Sequence, residues 1–211
     1  MKRPLLSLIL IFCLAICATA QEHRHYVLTC GSRTTNVDWI LEQTGSNIKA
    51  TIQTGSRMEY FLMDSSFNTL EYRVVDKTTD TDAKVTRSGN VYTFSGKNKG
   101  KSINRTEKSS GLPWLQNVEF NGVGVAEPGK PVKFECIRYT DMDRHTMQVV
   151  NKGETEVEGI KATRVRASLT GALSGVWGCD YYFDSKTGDF VVYKAVEGVP
   201  GTPETTIKPV K

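Results

Sequence analysis

The stretch Lys161-Ala162-Thr163-Arg164-Val165-Arg166-Ala167-Ser168-Leu169 decides the fold class. From Arg164 onward, polar and apolar residues alternate at every position: Arg164, Arg166 and Ser168 against Val165, Ala167 and Leu169. A period of two residues is that of a β-strand, because successive side chains point to opposite faces. One apolar and one polar face is typical of an antiparallel sheet that is covered on a single side.

The same alternation recurs along the chain between short turn signals rich in glycine, asparagine and proline. It predicts eleven strands: 36–43, 48–54, 58–63, 69–77, 83–87, 91–95, 132–139, 146–151, 160–169, 177–184 and 190–196. We therefore expect a mainly all-β protein, built as a single curved antiparallel meander sheet that forms a half-barrel or a barrel. At most one or two short helices are expected.

Three segments do not alternate clearly. One turn or two of helix is predicted over 112–118, with Trp114 and Leu115 as its apolar contacts. Residues 97–108 carry five basic side chains against one acidic one, which favours a long exposed loop. After Gly198 the chain is rich in proline, so 199–211 is predicted as an extended tail over the surface of a single domain that covers 21–198.

The first 20 residues have the pattern of an export signal. Lys2 and Arg3 precede an apolar run over 5–16, and Ala18-Thr19-Ala20 offers the small residues of a cleavage site before Gln21. The run is too short to cross a bilayer as a helix, so no transmembrane segment is expected. The predicted location is periplasmic or secreted. Lipid anchoring through Cys17 is the less favoured alternative, because Ile16 is not the small residue that a lipidation signal requires there.

Removal of this signal leaves Cys30, Cys136 and Cys179. Three thiols in an oxidising compartment allow at most one disulfide. Cys136 and Cys179 are each in phase with apolar neighbours, so both are expected to face the core. Two alternatives stay open: a Cys136–Cys179 disulfide if their strands are adjacent, or two buried thiols.

Charge and motifs argue against several functional classes. A formal charge of +4 on 211 residues gives no reason to expect a nucleic-acid partner. The histidines favour a disordered N-terminal tail for His23 and His25, and a polar hairpin turn for Asp143 and His145, over a metal site. No serine-hydrolase elbow, dinucleotide loop or phosphate loop is present. We expect no catalytic residue, no metal and no cofactor.

One enzymatic alternative arises because Glu154, Glu156 and Glu158 would project from one face of a strand at steps of about 6.8 Å. That spacing falls within the range of an inverting glycosidase pair. Three like charges also protect an edge strand from aggregation, and this interpretation is favoured. The alternative function is a glycan-active or other hydrolytic enzyme of the cell envelope that uses Glu156 or the pair Asp143 and His145.

Aromatic residues concentrate in the last predicted strands without catalytic partners. If the sheet curls, one concave face collects them and leaves an apolar trough. The candidate ligand-binding residues are Trp177, Tyr181, Phe183 and Trp114.

The C-terminal third resembles exported bacterial half-barrel proteins, which include lipoprotein-localisation factors and uncharacterised periplasmic families. The similar segments are 157–162 (VEGIKA), 176–184 (VWGCDYYFD) and 187–193 (TGDFVVY). In those proteins a long sheet curls around a short helix. The resemblance implies binding of acyl chains or an exported scaffold role. The leading hypothesis is an exported, non-enzymatic protein that binds a lipid or other apolar ligand, and a further alternative is a structural or interaction module of a surface complex.

Overall fold

A computed structural model describes residues 21–171, 177–196 and 202–210. The predicted signal peptide, including Cys17, lies outside them. The described chain forms one antiparallel sheet of 14 strands. The strands are β1 (Gln21–Cys30), β2 (Arg33–Thr44), β3 (Asn47–Thr54), β4 (Arg57–Asp64), β5 (Thr69–Asp76), β6 (Thr81–Ser88), β7 (Val91–Asn98), β8 (Lys101–Lys108), β9 (Val132–Arg138), β10 (Asp143–Val157), β11 (Ile160–Leu169), β12 (Gly178–Asp184), β13 (Phe190–Val196) and β14 (Glu204–Pro209).

The strand order is β8-β7-β6-β5-β4-β3-β2-β1-β14-β13-β12-β11-β10-β9, so the sheet consists of two meanders joined where β1 pairs with β14. The predicted fold class is confirmed, and the sheet is curved rather than closed by hydrogen bonds into a barrel. Each of the eleven predicted strands corresponds to a strand of the structure. The strands β1, β8 and β14 were missed.

Strands β1 and β14 correct two expectations. His23 and His25 lie in β1 rather than in a disordered tail, and His25 Nδ1 lies 2.7 Å from Asp38 Oδ1 on β2. The predicted surface tail contains β14, whose Thr205 is buried and whose strand pairs on both sides, with β1 and β13. Thr205 and Ile207 lie on the same face of this strand, and Pro203 and Pro209 stand at its borders, where a missing N–H costs least.

The basic stretch 97–108 is not a loop. Strand β7 continues to Asn98, a tight turn at Lys99 and Gly100 follows with positive φ at both residues, and β8 runs from Lys101 to Lys108. The basic residues favoured the prediction of a loop, but an edge strand also tolerates them. Lysines on an edge strand discourage pairing with other chains. Ile103, Arg105 and Glu107 alternate with more exposed residues, which is the strand signal that the charge obscured.

The predicted helix over 112–118 is also wrong. Backbone atoms on either side of Trp114 bond instead to β9: Glu135 donates its N–H to Pro113 O at 2.8 Å, and Leu115 donates to Glu135 O at 3.0 Å. The segment is therefore extended. The short helical elements follow it, as a 3₁₀ turn η1 (Val118–Phe120) and a single α turn α1 (Gly122–Val125). Trp114 and Leu115 are buried, so the prediction that they are apolar contacts is confirmed.

The register shows that the two ends of the sheet overlap. Phe134 on β9 shares the inner face of the sheet with Met147, its partner on β10, whereas Glu135 lies on the opposite face. Tyr92 lies on the inner face of β7 and nevertheless donates a hydrogen bond to Glu135. This contact requires the outer face of β9 to lie against the inner face of β7. The sheet is thus rolled like a scroll, with the β9 edge inside the β8 edge.

We call this overlap the seam, and Glu135 is its central residue. The carboxylate is fully buried and accepts hydrogen bonds from Tyr92 Oη at 2.9 Å and Ser109 Oγ at 2.7 Å. Ser110 donates both its N–H and its hydroxyl, each at 2.9 Å, and the Arg144 guanidinium forms an ion pair with the same carboxylate. The buried Glu135 carboxylate therefore has both hydrogen-bond donors and a cationic partner, and these interactions connect the strands of the seam.

Candidate ligand-binding site

A row of apolar and aromatic residues crosses the inner face of the central strands. Leu28 on β1 is in register with Ile207 on β14, Ile207 with Tyr193 on β13, and Tyr193 with Tyr181 on β12. We call these four residues the inner row. Leu28, Ile207 and Tyr181 keep part of their surface accessible although they lie on the core side. The inner row therefore packs against the core and still presents apolar surface that is partly accessible.

The turn elements η1 and α1 cover the neighbouring part of the inner face. Phe120 packs edge-on against Trp39 at 5.3 Å and against Phe61 at 5.6 Å between ring centroids. Gly122 approaches Phe183 so closely that an added Cβ would lie 2.5 Å from the ring. Only glycine permits this approach, so η1 and α1 lie directly on the inner face beside the inner row.

The structure distributes the predicted binding residues over two places. Tyr181 lies in the inner row, Phe183 is buried two residues further along β12, and Trp177 packs half-buried against the core just before that strand. Trp114 lies in the seam instead, with its ring 5.1 Å from that of Tyr92. It is fully buried there and packs as a core residue.

The other members of the inner row, Leu28, Tyr193 and Ile207, were not predicted as binding residues. Leu28 and Ile207 lie in strands that were not predicted. Tyr193 lies in a predicted strand, but its partner Ile207 was assigned to a tail. Membership of the row depends on the β1–β14 pairing, which no local pattern reveals.

An acidic side chain lies among these residues. Glu119 is the middle residue of η1, and its charge acts on Tyr26, Cys179 and Tyr181. Burial, with a smaller contribution from the Glu59 carboxylate, raises the pKa of Glu119 to about 7. Its carboxylate forms no hydrogen bond or ion pair with another residue that the structure describes.

The other acid close to Glu119 is compensated. Glu59 accepts hydrogen bonds from Tyr72 Oη at 2.6 Å and from Arg57 Nε at 3.1 Å. The Arg57 guanidinium stacks at 4.2 Å on the ring of Tyr139, beside a cavity of about 230 Å³. The charges of Glu59 and Arg57 therefore cancel each other within the fold.

The three cysteines that the structure describes form no disulfide. Cys136 and Cys179 are free, and their strands β9 and β12 are separated by β10 and β11. Three strand spacings amount to roughly 14 Å along the sheet, well beyond the reach of a disulfide. The condition of adjacent strands is not met, and the structure has the alternative with two free thiols. Burial raises the pKa of both to about 12, so neither is a thiolate at neutral pH.

The candidate catalytic groups do not converge. Glu154 and Glu156 are exposed on β10, and Glu154 forms an ion pair with Lys161 at 2.8 Å. Glu158 lies in the following turn with positive φ, so it does not continue their face of the strand. Asp143 is exposed. No metal-binding group of three or more His, Cys, Asp or Glu occurs among the described residues.

His145 pairs across the strands with Cys136 on the inner face, and its Nε2 is buried without a partner. Burial raises the pKa of the Cys136 thiol to about 12, which opposes formation of the thiolate that a cysteine nucleophile requires. Within the described part of the chain, no helix has both the length and the apolar composition needed to cross a bilayer.

Comparison with known proteins supports the fold alone. No protein-family model matches the chain, and no curated protein matches its sequence. The crystal structure of a beta-barrel-like protein of domain of unknown function DUF1849 from Brucella abortus is similar over 92% of this chain and 96% of that one, at 11% identity and a TM-score of 0.51.

Two further crystal structures have the same TM-score of 0.36. One is a DUF1329 family protein from Desulfovibrio piger, at 8% identity over 92% of this chain and 85% of that one. The other is a putative outer membrane lipoprotein-sorting protein domain from Vibrio parahaemolyticus, at 5% identity over 90% and 83%. The chain has the curled antiparallel sheet of the half-barrel proteins that its C-terminal third resembles in sequence.

Proposed function

We propose that this is an exported, non-enzymatic binding protein that holds a lipid or another apolar ligand against the inner row. The observation that carries the proposal is the inner row itself, four large side chains in register on the core side of the sheet, three of them partly accessible. Accessible apolar surface on a concave face is typical of a ligand site. The signal-like residues 1–20 support a periplasmic or secreted location.

Native mass spectrometry of the protein purified from the exported fraction, without a delipidation step, tests this proposal. We expect an added mass of a few hundred daltons that organic extraction removes. A clean unliganded mass from the same preparation would contradict the proposal.

A matched pair of variants on β14 locates the ligand. Ile207→Asn places a polar group in the inner row, whereas Thr206→Asn changes the neighbouring residue on the outer face of the same strand. We expect the first variant to lose most of the added mass and the second to keep it. Equal retention by two folded variants would place the ligand elsewhere.

A further inference from the structure

We propose that the protein has a second small-molecule site, formed around Arg87 beside the seam, and that this site takes a small carboxylate with an apolar body. The site is a cavity of about 420 Å³ between the start of β5, the end of β6 and the segment 111–114. That volume falls within the range of about 300–1,000 Å³ that is typical of small-molecule sites. None of the described residues that line it belongs to the inner row, so the two sites are independent.

The wall of this cavity is mainly apolar and carries one charge. Its apolar side chains are those of Leu70, Leu112, Pro113 and Trp114. Leu70 and Leu112 are only half-buried, so apolar surface remains accessible there. Arg87 is the one charged residue among the described residues of the wall. A ligand that matches this wall combines an apolar body with a single negative charge.

The backbone holds the Arg87 guanidinium in place. Its Nε donates a hydrogen bond to Gly89 O at 3.2 Å, and its Nη1 donates to Leu112 O at 2.7 Å. Its central carbon lies 5.4 Å from the centroid of the Tyr92 ring. The two bonds use two of the five N–H groups. The side chain keeps 18% of its surface accessible, and no Arg87 nitrogen is buried without a partner, so N–H groups remain for a ligand.

The carboxylates of the described residues leave the Arg87 charge largely unpaired. Glu135 Oε2 lies 3.9 Å from Arg87 Nη1, which is beyond hydrogen-bond distance, and Glu135 is fully buried with a closer ion pair to Arg144. Asp64 does not line the cavity, and its carboxylate accepts two hydrogen bonds from Asn68, at 2.9 and 3.0 Å. A ligand carboxylate would therefore be the direct anionic partner that Arg87 lacks.

The same wall disfavours other head groups. An ammonium group would meet the like charge of Arg87. A neutral head would forgo the charge-assisted hydrogen bond, which is roughly twice as strong as one between neutral groups. A phosphate carries up to two charges, and the wall offers one cation. A carboxylate matches both the single charge and the planar fork of a guanidinium.

An NMR titration that follows N–H resonances tests the proposal on the protein purified from the exported fraction and freed of lipid. Hexanoate, hexanol and hexylammonium are the probes, because they share one chain length and differ in the charge of the head. The cavity is reported by the backbone amides of Gly89 and Gly111 and by the indole N–H of Trp114. We expect hexanoate to shift these resonances and to bind about tenfold or more tightly than the other two probes, as one charged hydrogen bond contributes.

A matched pair of substitutions at Gly89 tests the charge without removing Arg87 and its backbone bonds. Gly89 has a φ of 54°, which asparagine and aspartate tolerate, and an added Cβ would meet no atom within 4 Å. Gly89→Asp places a negative charge beside the guanidinium and should weaken hexanoate binding about tenfold. Gly89→Asn has the same shape without the charge and should bind hexanoate like the unchanged protein.

A remote aspartate controls for the change in net charge. Gly45 has a φ of 60° in the turn between β2 and β3, and an added Cβ there also meets no atom within 4 Å. That turn lies about four strand spacings from Gly89, roughly 19 Å along the sheet, which exceeds the distance over which salt screens a charge. Gly45→Asp should therefore leave the affinity for hexanoate unchanged.

Three results would overturn the proposal. The first is equal affinity for the three probes. The second is binding that shifts resonances of the inner row and leaves those of Gly89, Gly111 and Trp114 in place. The third is an equal effect of Gly89→Asp and Gly89→Asn, or of Gly89→Asp and Gly45→Asp, on the affinity for hexanoate.

Discussion

Among single residues, Glu135 shows how a buried charge can stabilise a fold. Burial opposes its ionisation, but hydrogen bonds from Ser109, Ser110 and Tyr92 prevail and lower its pKa to about 2. A carboxylate with a lowered folded-state pKa contributes stability above its unfolded-state pKa of about 4.5, and this contribution is lost as the pH falls toward 2. The size is about 3 kcal/mol.

This predicts a specific acid sensitivity. Urea unfolding between pH 2 and pH 7 should show the free energy of unfolding falling below pH 4.5. Glu135→Gln should lose about 3 kcal/mol at pH 7 and should flatten part of that fall, because it removes the ion pair with Arg144 and has no carboxylate to titrate. Glu154→Gln, an exposed control with one surface ion pair, should change stability by less than about 1 kcal/mol. Equal effects of both substitutions would contradict the role of the seam.

The three thiols should differ in reactivity. Cys136 and Cys179 have pKa values raised to about 12 by burial, whereas Cys30 is partly exposed at the end of β1. In the chain that begins at Gln21, iodoacetamide at pH 8 should label one site quickly in the native state and three sites in urea. Peptide mass mapping identifies the first site as Cys30. Rapid native labelling of Cys179 would show that β12 is not packed as described.

At the scale of elements, we expect the sheet to depend most strongly on β14. It pairs with β1 on one side and β13 on the other, so it joins the two meanders. A chain that ends at residue 202 should fail to give a cooperative urea transition by circular dichroism. A chain that lacks only Val210 and Lys211 should unfold like the full protein, except for the loss of one backbone bond from Val210 to His25 O. Cooperative unfolding of the shorter chain would restore the interpretation of this segment as a tail.

The elements also show where sequence analysis succeeds. Strands such as β11 were predicted because their own alternation is complete. Strands β8 and β14 were missed because an edge position tolerates lysines and because prolines at the borders resemble a tail. The extended segment at Trp114 was predicted as helix, since the backbone bonds that it makes to β9 are tertiary and leave no local pattern. Tyr181 was predicted as a site residue from the aromatic face of β12, whereas the position of Glu119 follows only from packing.

At the scale of the whole molecule, the predicted curvature is confirmed, but the overlap of the two edges of the sheet was not predicted. Period-two alternation determines which face is inside, and it carries no information about which edges meet. In the overlap of β9 with β7, the side-chain hydrogen bond between the two strands is made by a charged residue, Glu135. The apolar neighbours of Glu135 predict a buried strand, and no local pattern marks Glu135 itself as a buried residue.

The strand order has a consequence for how the chain folds. All pairings but one link strands that are neighbours in sequence, and such local contacts form quickly. The exception, β1 with β14, joins residues about as far apart as the chain permits and carries the entropy of closing that long loop. We therefore expect refolding to show two kinetic phases: rapid formation of the separate meanders and slower docking between them, with the mutational effects of β14 confined to the slow phase.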